Sequence, residues 1–573
     1  MRSREPDGEL VRRRTVLKGL AAVGAGSLAF RRALSAQAAR DGAVTPEMVA
    51  QAEWITGLKL TDEEREEVAK SVRDSLDRFE ALRRCEVGYD VVPALQFNPA
   101  PGLKEAAGLN RGRAVAIAAP APARPADDEA LAFLPVTQLA ALLRSRQVTS
   151  VELTKLYLGR LKRFDPVFKC VVTLTEKLAF EQAARADAEI ASGAYRGPLH
   201  GVPWGAKDLI AYPGWPTTWG APQFKERVVD QKATVAARLD EAGAVLVAKL
   251  SLGALAMGDQ WYGGKTRSPW DPRRGSSGSS AGSASAAAAG LVGFAIGSET
   301  LGSIISPCQA CGATGLRPTF GRVSRHGCMS LAWSMDKLGP IARSVEDCAL
   351  ILDAIHGRDG LDPTAVDQPF AWPPAVDFGK LKIGVPRLDG KPADDDDAAK
   401  TLRALGFETV AVELPTKHPA WAVSQMLRVE AATAFDEFTR NHVSEGLNSW
   451  PATFRQARFT PAVEYLRAAR VRTLLMRDMA ELFEKVDLFV GGSDLDLTIT
   501  NLTGHPSVVI PGRFHDRDGL PAPGSVVLTG KLYDESTLLA VAHAYQEATG
   551  DHRARPPLER FLADAASRET MPD

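Results

Sequence analysis

Residues 275–303 read GSSGSSAGSASAAAAGLVGFAIGSETLGS. The first half holds almost only Gly, Ser and Ala, residues that let backbone N–H groups approach a bound group and let a following helix pack closely. Taken alone, such a loop suits a flexible linker, an anion cradle or a catalytic loop. The segment opens directly into an Ala-rich helical run and then an apolar strand-like run, which argues against a linker. Neither GxxxxGK[ST] nor GxGxxG accompanies it, which argues against a phosphate loop. What remains is a polar, glycine-bearing site wedged between apolar elements.

Working outward, GPLHGVPWGAKDLI, AVLVAKL, GLVGFAIG, LKIGVPRL, TVAVELP and LFVGG are short apolar runs ended by Gly or Pro, with helical patterns between them. That alternation predicts a mixed α/β sheet protein. Upstream, residues 136–168 have helical period with Thr149 and Ser150 as caps, and an Ala-rich helix is predicted over 174–192. From Thr45 to about Leu82, apolar residues recur at helical spacing among charges, with Thr61 and Glu64 placed as a capping box. Residues 88–130 are rich in Pro, Ala and Gly and read as a connector. Leu538–Ala548 predicts a last helix before a charged, frayed tail. The expected domains are therefore a leader at 1–38, a helical extension and connector at 39–130, a main domain at 131–558 and a tail at 559–573.

The chain has 573 residues, 45% apolar and 24% charged, with formal net charge −1. That is a globular composition with no polybasic field, so nucleic acid is not expected as a partner. Arg13, Arg14, Leu17 and Lys18 precede the weakly apolar GLAAVGAGSLAF. This order resembles a bacterial twin-arginine export signal cleaved near Ala36 or Ala38. Residues 1–38 carry eight basic and three acidic side chains, so removing them takes the net charge from −1 to −6. The expectation is a periplasmic or secreted protein, handled folded by the twin-arginine export machinery and without a transmembrane anchor. Of six cysteines, only Cys308 and Cys311 form a CxxC, with no second pair at zinc-finger spacing; buried thiols are expected rather than a zinc or redox centre. No metal-ligand or cofactor motif occurs, and neither is expected.

Several motifs in order now carry a resemblance: GVPWGAKDLI at 201–210, SGSSAGSASAAAAG at 277–290, GSETLGSIISPC at 297–308, CGATGLRPTFGRVSRHG at 311–327, SMDKLGPIARSVEDCALIL at 334–352 and NLTGHPSVVIP at 501–511. Together they resemble the amidase signature family of serine hydrolases over about residues 130–550. The resemblance implies a mixed central β-sheet covered by helices on both faces, here with a small helical N-terminal extension. It also implies a triad of Ser303 as nucleophile, Ser279 after a cis peptide as bridging serine, and Lys207 as base. A serine hydroxyl needs a neighbour to take its proton, and a lysine serves only when burial keeps it largely neutral. The oxyanion is expected on the main-chain N–H groups of Thr300, Leu301, Gly302 and Ser303. Ser280 is a candidate supporting residue within the loop. Three departures from the family pattern are Leu301 for a Gly, Glu299 for an Asp and Ile305 for an Arg, the last removing a charge beside the nucleophile. Asp208 reads as structural, and His326 either borders the site or caps a loop, without a catalytic role.

Six of ten tryptophans, at 204, 215, 219, 261, 270 and 333, fall in the stretch that holds the triad. They are either core residues or an aromatic pocket wall, with Trp204 and Trp261 as pocket candidates. The expected reaction is hydrolysis of neutral, hydrophobic or aryl carboxamides through a serine acyl-enzyme, releasing ammonia or an amine, by a monomer or homodimer. Alternatives are an esterase, carbamate or peptide-amide hydrolase, the glutaminase subunit of a tRNA-dependent amidotransferase, and a non-catalytic binding protein on the same scaffold.

Overall fold

The computed structural model describes residues 44–56, some positions between 60 and 70, and 97–100, 114–117, 122–387, 397–457 and 460–562. It divides into two compact units, 1–88 and 89–573. In the first, Pro46–Thr56 is a helix, within the region where sequence period predicts one. The export signal and Glu64 of the expected capping box lie outside the described residues.

The second unit is built on an eleven-stranded mixed sheet. In chain order its strands are β1 (Val171–Leu174), β2 (Pro203–Lys207) and β3 (Val245–Leu250), then, after four short hairpin strands β4 (Gln260–Trp261), β5 (Gly264–Lys265), β6 (Arg267–Ser268) and β7 (Asp271–Gly275), β8 (Phe294–Glu299), β9 (Thr314–Arg317), β10 (Lys337–Ala342), β11 (Lys382–Pro386), β12 (Glu408–Val412), β13 (Leu488–Gly491), β14 (Ser507–Arg517) and β15 (Leu520–Gly530). The spatial order is β1-β3-β2-β8-β10-β9-β14-β15-β13-β11-β12. β2 runs parallel to both β3 and β8, β11 parallel to β12 and β13, and the remaining neighbours are antiparallel. All six apolar runs singled out in the sequence are strands. Those missed in the large sheet are the short edge strand β1, then β9 and β10, whose Gly and Pro content hides the pattern, and the long β14–β15 hairpin.

Strand alternation divides the core. Trp204, Ala206, Phe294, Ile296 and Leu338 face one side, under helices Thr234–Glu241, Val345–Ile355 and Glu535–Thr549. Val245, Val247, Ala295, Ile341 and Val509 face the other, against helices Ala281–Ala288 and Ile305–Cys311. The Ala and Ser residues of Ala281–Ala288 are all buried, so the small side chains let this helix lie close on the sheet. The helix Ser150–Phe168 begins with a full capping box, Thr149 with Glu152. Past Arg555 the chain does not fray at once: Leu558 and Phe561, an i, i+3 apolar pair, are buried in the core.

Candidate active site

β2 and β8 are parallel neighbours, with Ala206 opposite Ile296. Their carboxyl ends therefore bring Lys207 level with Gly297 and Ser298, and sites in such sheets form at strand carboxyl ends. Lys207 is fully buried. Its Nζ lies 2.8 Å from Ser279 Oγ, 3.0 Å from Ser280 Oγ, 2.9 Å from Ser298 Oγ and 3.3 Å from the Ser298 carbonyl. Among the described residues no carboxylate bonds it. Burial drives its pKa well below the ordinary 10.5, against the weaker pull of Asp336 and Glu299.

The serine loop reaches this lysine because two glycines permit it. A Cβ on Gly278 would meet the Gly258 carbonyl oxygen at 1.9 Å, and one on Gly297 would meet Ser280 Oγ at 2.8 Å. The Gly278–Ser279 peptide is cis. Ser280 accepts from Lys207 and from the Ser298 N–H at 3.1 Å, and donates to the Ser298 carbonyl at 3.0 Å. The Ser280 N–H donates to the Ser303 carbonyl at 3.0 Å, which brings Ser303 to the same loop. Ser303, 9% exposed, is more open than Ser279 at 1% or Lys207 at 0%.

Residues 300–303 form a turn between β8 and the helix Ile305–Cys311. Glu299 Oε2 accepts the N–H groups of Ile304 and Ile305 at 2.8 and 2.9 Å, while the N–H groups of Leu301, Gly302 and Ser303 donate to no acceptor among the described residues. Gly302 takes φ +89°, a conformation that suits glycine. Thr300 Oγ1 donates to Asp336 at 2.6 Å, and Asp336 accepts the N–H groups of Leu331 and Ala332. The turn is thus pinned at both ends, with free N–H groups between.

The remaining sequence candidates fall elsewhere. Glu299 is wholly buried, ion-paired with Arg317 at 2.8 Å and accepting from Asn501 at 2.8 Å. Ile305 packs in the core, so the missing arginine charge does not open onto the turn's free side. Trp204 stacks on Phe294 in the core, on the opposite face of β2 from Lys207. Trp261 donates to the Lys169 carbonyl. A small cavity beside Ser298 and Thr300 is walled by Leu209, Ala256, Cys328, Met329 and Leu331, and neither tryptophan lines it. Trp204 is wholly buried with its indole N–H unpaired among the described residues, and Trp261 is 8% exposed, so neither stands on that cavity, whose wall is mixed apolar and charged. Asp208 pairs with buried Lys249 at 2.6 Å. His326 meets Gln231 at 3.1 Å, at the head of the helix Thr234–Glu241. Cys308 and Cys311 are free and buried. Sequence reasoning missed Ser298, Asp336 and Arg317, although all three lie inside the quoted motifs.

Comparison with known proteins identifies the family. The amidase family profile matches residues 152–493, more than half of the chain, and the chain belongs to the amidase family. It is 35% identical over 490 residues to the A subunit of the glutamyl-tRNA(Gln) amidotransferase of Carboxydothermus hydrogenoformans, covering 75% of this chain and 100% of that protein. It is 36% identical over 472 residues to a putative amidase, AmiD, of Mycobacterium bovis, covering 75% and 98%. The native peptide amidase of Stenotrophomonas maltophilia superposes with TM-score 0.63 at 30% identity, covering 74% of this chain and 98% of that one. The protein is an amidase-signature hydrolase, an enzyme of amide-bond cleavage.

Proposed function

We propose that the enzyme cleaves carboxamide C–N bonds through an acyl group on Ser303. The observation that carries this is the fully buried Lys207, surrounded by hydroxyls and lying 2.8 Å from Ser279 Oγ. A neutral amine there accepts the Ser279 proton as Ser279 takes that of Ser303, and Ser303 Oγ attacks the amide carbonyl. The N–H groups of the 300–303 turn receive the developing oxyanion. As the tetrahedral adduct collapses, Ser279 returns a proton to the leaving nitrogen, and ammonia or an amine departs. Water then attacks the ester by the same relay in reverse.

The substrate class we favour is a neutral amide with an apolar acyl part, peptide amides foremost. Similarity to a peptide amidase along nearly its whole length supports this. A second reading is the glutaminase component of a complex with a tRNA-binding partner, favoured by the similarity to an amidotransferase polypeptide along its full length.

Ammonia release from peptide amides, aliphatic and aryl carboxamides and free glutamine, measured for wild type and Ser303→Ala, tests both. We expect peptide amides to be turned over fastest, with release abolished in the variant. Release from glutamine alone would favour the second reading, and undiminished turnover by Ser303→Ala would refute the acyl-enzyme. We further propose that residues 1–38 export the folded chain, leaving 131–558 as the catalytic domain. Recovery of only the uncleaved form, in the cytosol of the native cell, would refute export.

A further inference from the structure

The helix Ala462–Phe483 is 22 residues long and buries Ala468, Arg472, Leu475, Met479, Leu482 and Phe483. At about 100° per residue, the opposite stripe carries Val463, Leu466, Arg467, Arg470, Leu474 and Arg477. Val463, Leu466 and Leu474 are 65%, 52% and 38% exposed. Trp421 is 80% exposed, and no large apolar side chain among the described residues is more exposed. Its helix, Ala420–Val423, packs through Ala420 and Val423 into the same core as Leu475 and Met479. His418 Nδ1 lies 2.5 Å from Asp478 Oδ2, which fixes the start of that helix against the flank of the long one, near Leu474 and Arg477.

Apolar groups at this exposure cost hydration free energy with no return inside the fold, and contiguous ones mark an interaction surface. Three arginines stand along the stripe, followed at its C-terminal end by Glu481 and Glu484, and Asp478 is taken by His418. Guanidinium groups on long stems can reach phosphate while their neighbours enter an acyl layer, and an indole ring suits the boundary between the two. Among the described residues no helix is long and apolar enough to cross a membrane, so this one would lie in the plane of the surface. We propose that this face docks the enzyme reversibly on an anionic lipid surface. The inference does not rest on the reading of the catalytic serine.

The test is flotation of the full-length protein with phosphatidylcholine vesicles, with and without phosphatidylglycerol, with sedimentation velocity in parallel. Wild type should bind the anionic vesicles at least about tenfold more than the neutral ones. The triple variant R467E/R470E/R477E and the single variant Trp421→Ala should each lose most of that binding. Both should keep amide hydrolysis in solution, since none of these residues belongs to the site. Equal binding to both vesicles, or unchanged binding by either variant, overturns the proposal. So does a wild type that ignores vesicles but self-associates, with the arginine variant monomeric, because the face would then be a contact between copies.

Discussion

At the scale of the residue, the chemistry turns on one amine. Lys207 is held by Ser279, Ser280 and Ser298, groups that can donate or accept, and by no carboxylate among the described residues that would lock it as an ammonium. Burial then decides its protonation: the charged form loses solvation, and the pKa falls well below 10.5 in spite of Asp336 and Glu299. A base works only when deprotonated, so kcat/KM should rise with pH through the folded pKa of Lys207. The rising limb should have its midpoint well below 10.5. Lys207→Met should lower kcat by about a thousandfold or more and abolish that limb, as read from pH–rate profiles of the two proteins. A variant keeping the wild-type profile would mean that another group takes the proton.

At the scale of the element, the 300–303 turn depends on its two anchors. Removing the Thr300 hydroxyl should free the front of the turn while Glu299 still holds the back. We expect Thr300→Val to reduce kcat by about ten- to a hundredfold with KM little changed, because the loss falls on donors that act in the transition state. A rise in KM alone would place Thr300 in ground-state binding instead. These anchors also show what a sequence conceals. The Gly/Ser/Ala loop, the strands β2, β3 and β8 and the helix capped at Thr149 were legible, or partly so, because period and cap chemistry are local. The bonds of Asp336 to Thr300 and of Arg317 to Glu299 join residues 36 and 18 positions apart, across strands whose order the chain does not state. For the same reason Trp204 looked like a pocket residue: adjacency to a catalytic motif does not reveal which face of a strand a side chain takes.

At the scale of the whole molecule, one buried network knits the sheet behind the site. Arg317 on β9 pairs with Glu299 of β8 and donates to the His505 carbonyl at 2.9 Å and Ser507 Oγ at 2.6 Å at the start of β14. Both Arg317 and Glu299 are wholly buried. Arg317→Met leaves a buried carboxylate unpaired and should cost about 3–5 kcal/mol, measurable as a lower urea midpoint at neutral pH. The same network sets the acid limit of the fold. Burial alone would raise the Glu299 carboxyl, but Arg317 and Lys337 hold it at about 2 against an ordinary 4.5. Its contribution is therefore complete above about 4.5 and is lost as pH falls toward 2. His505 acts earlier. Burial, with Arg317 adding to it, lowers its pKa from 6.5 to about 3, so the unfolded chain takes up a proton that the folded chain refuses. Stability should thus decline as pH falls below 6.5, before any loss through Glu299 begins. His552, lowered to about 4, adds to the slope in the same direction. In His505→Gln, where the amide can keep the 2.8 Å partner Thr503, the urea midpoint should fall less steeply between pH 6.5 and 4.5 than in wild type, without becoming flat. Parallel slopes would show that His505 does not limit the acid stability and that the other buried histidines carry it.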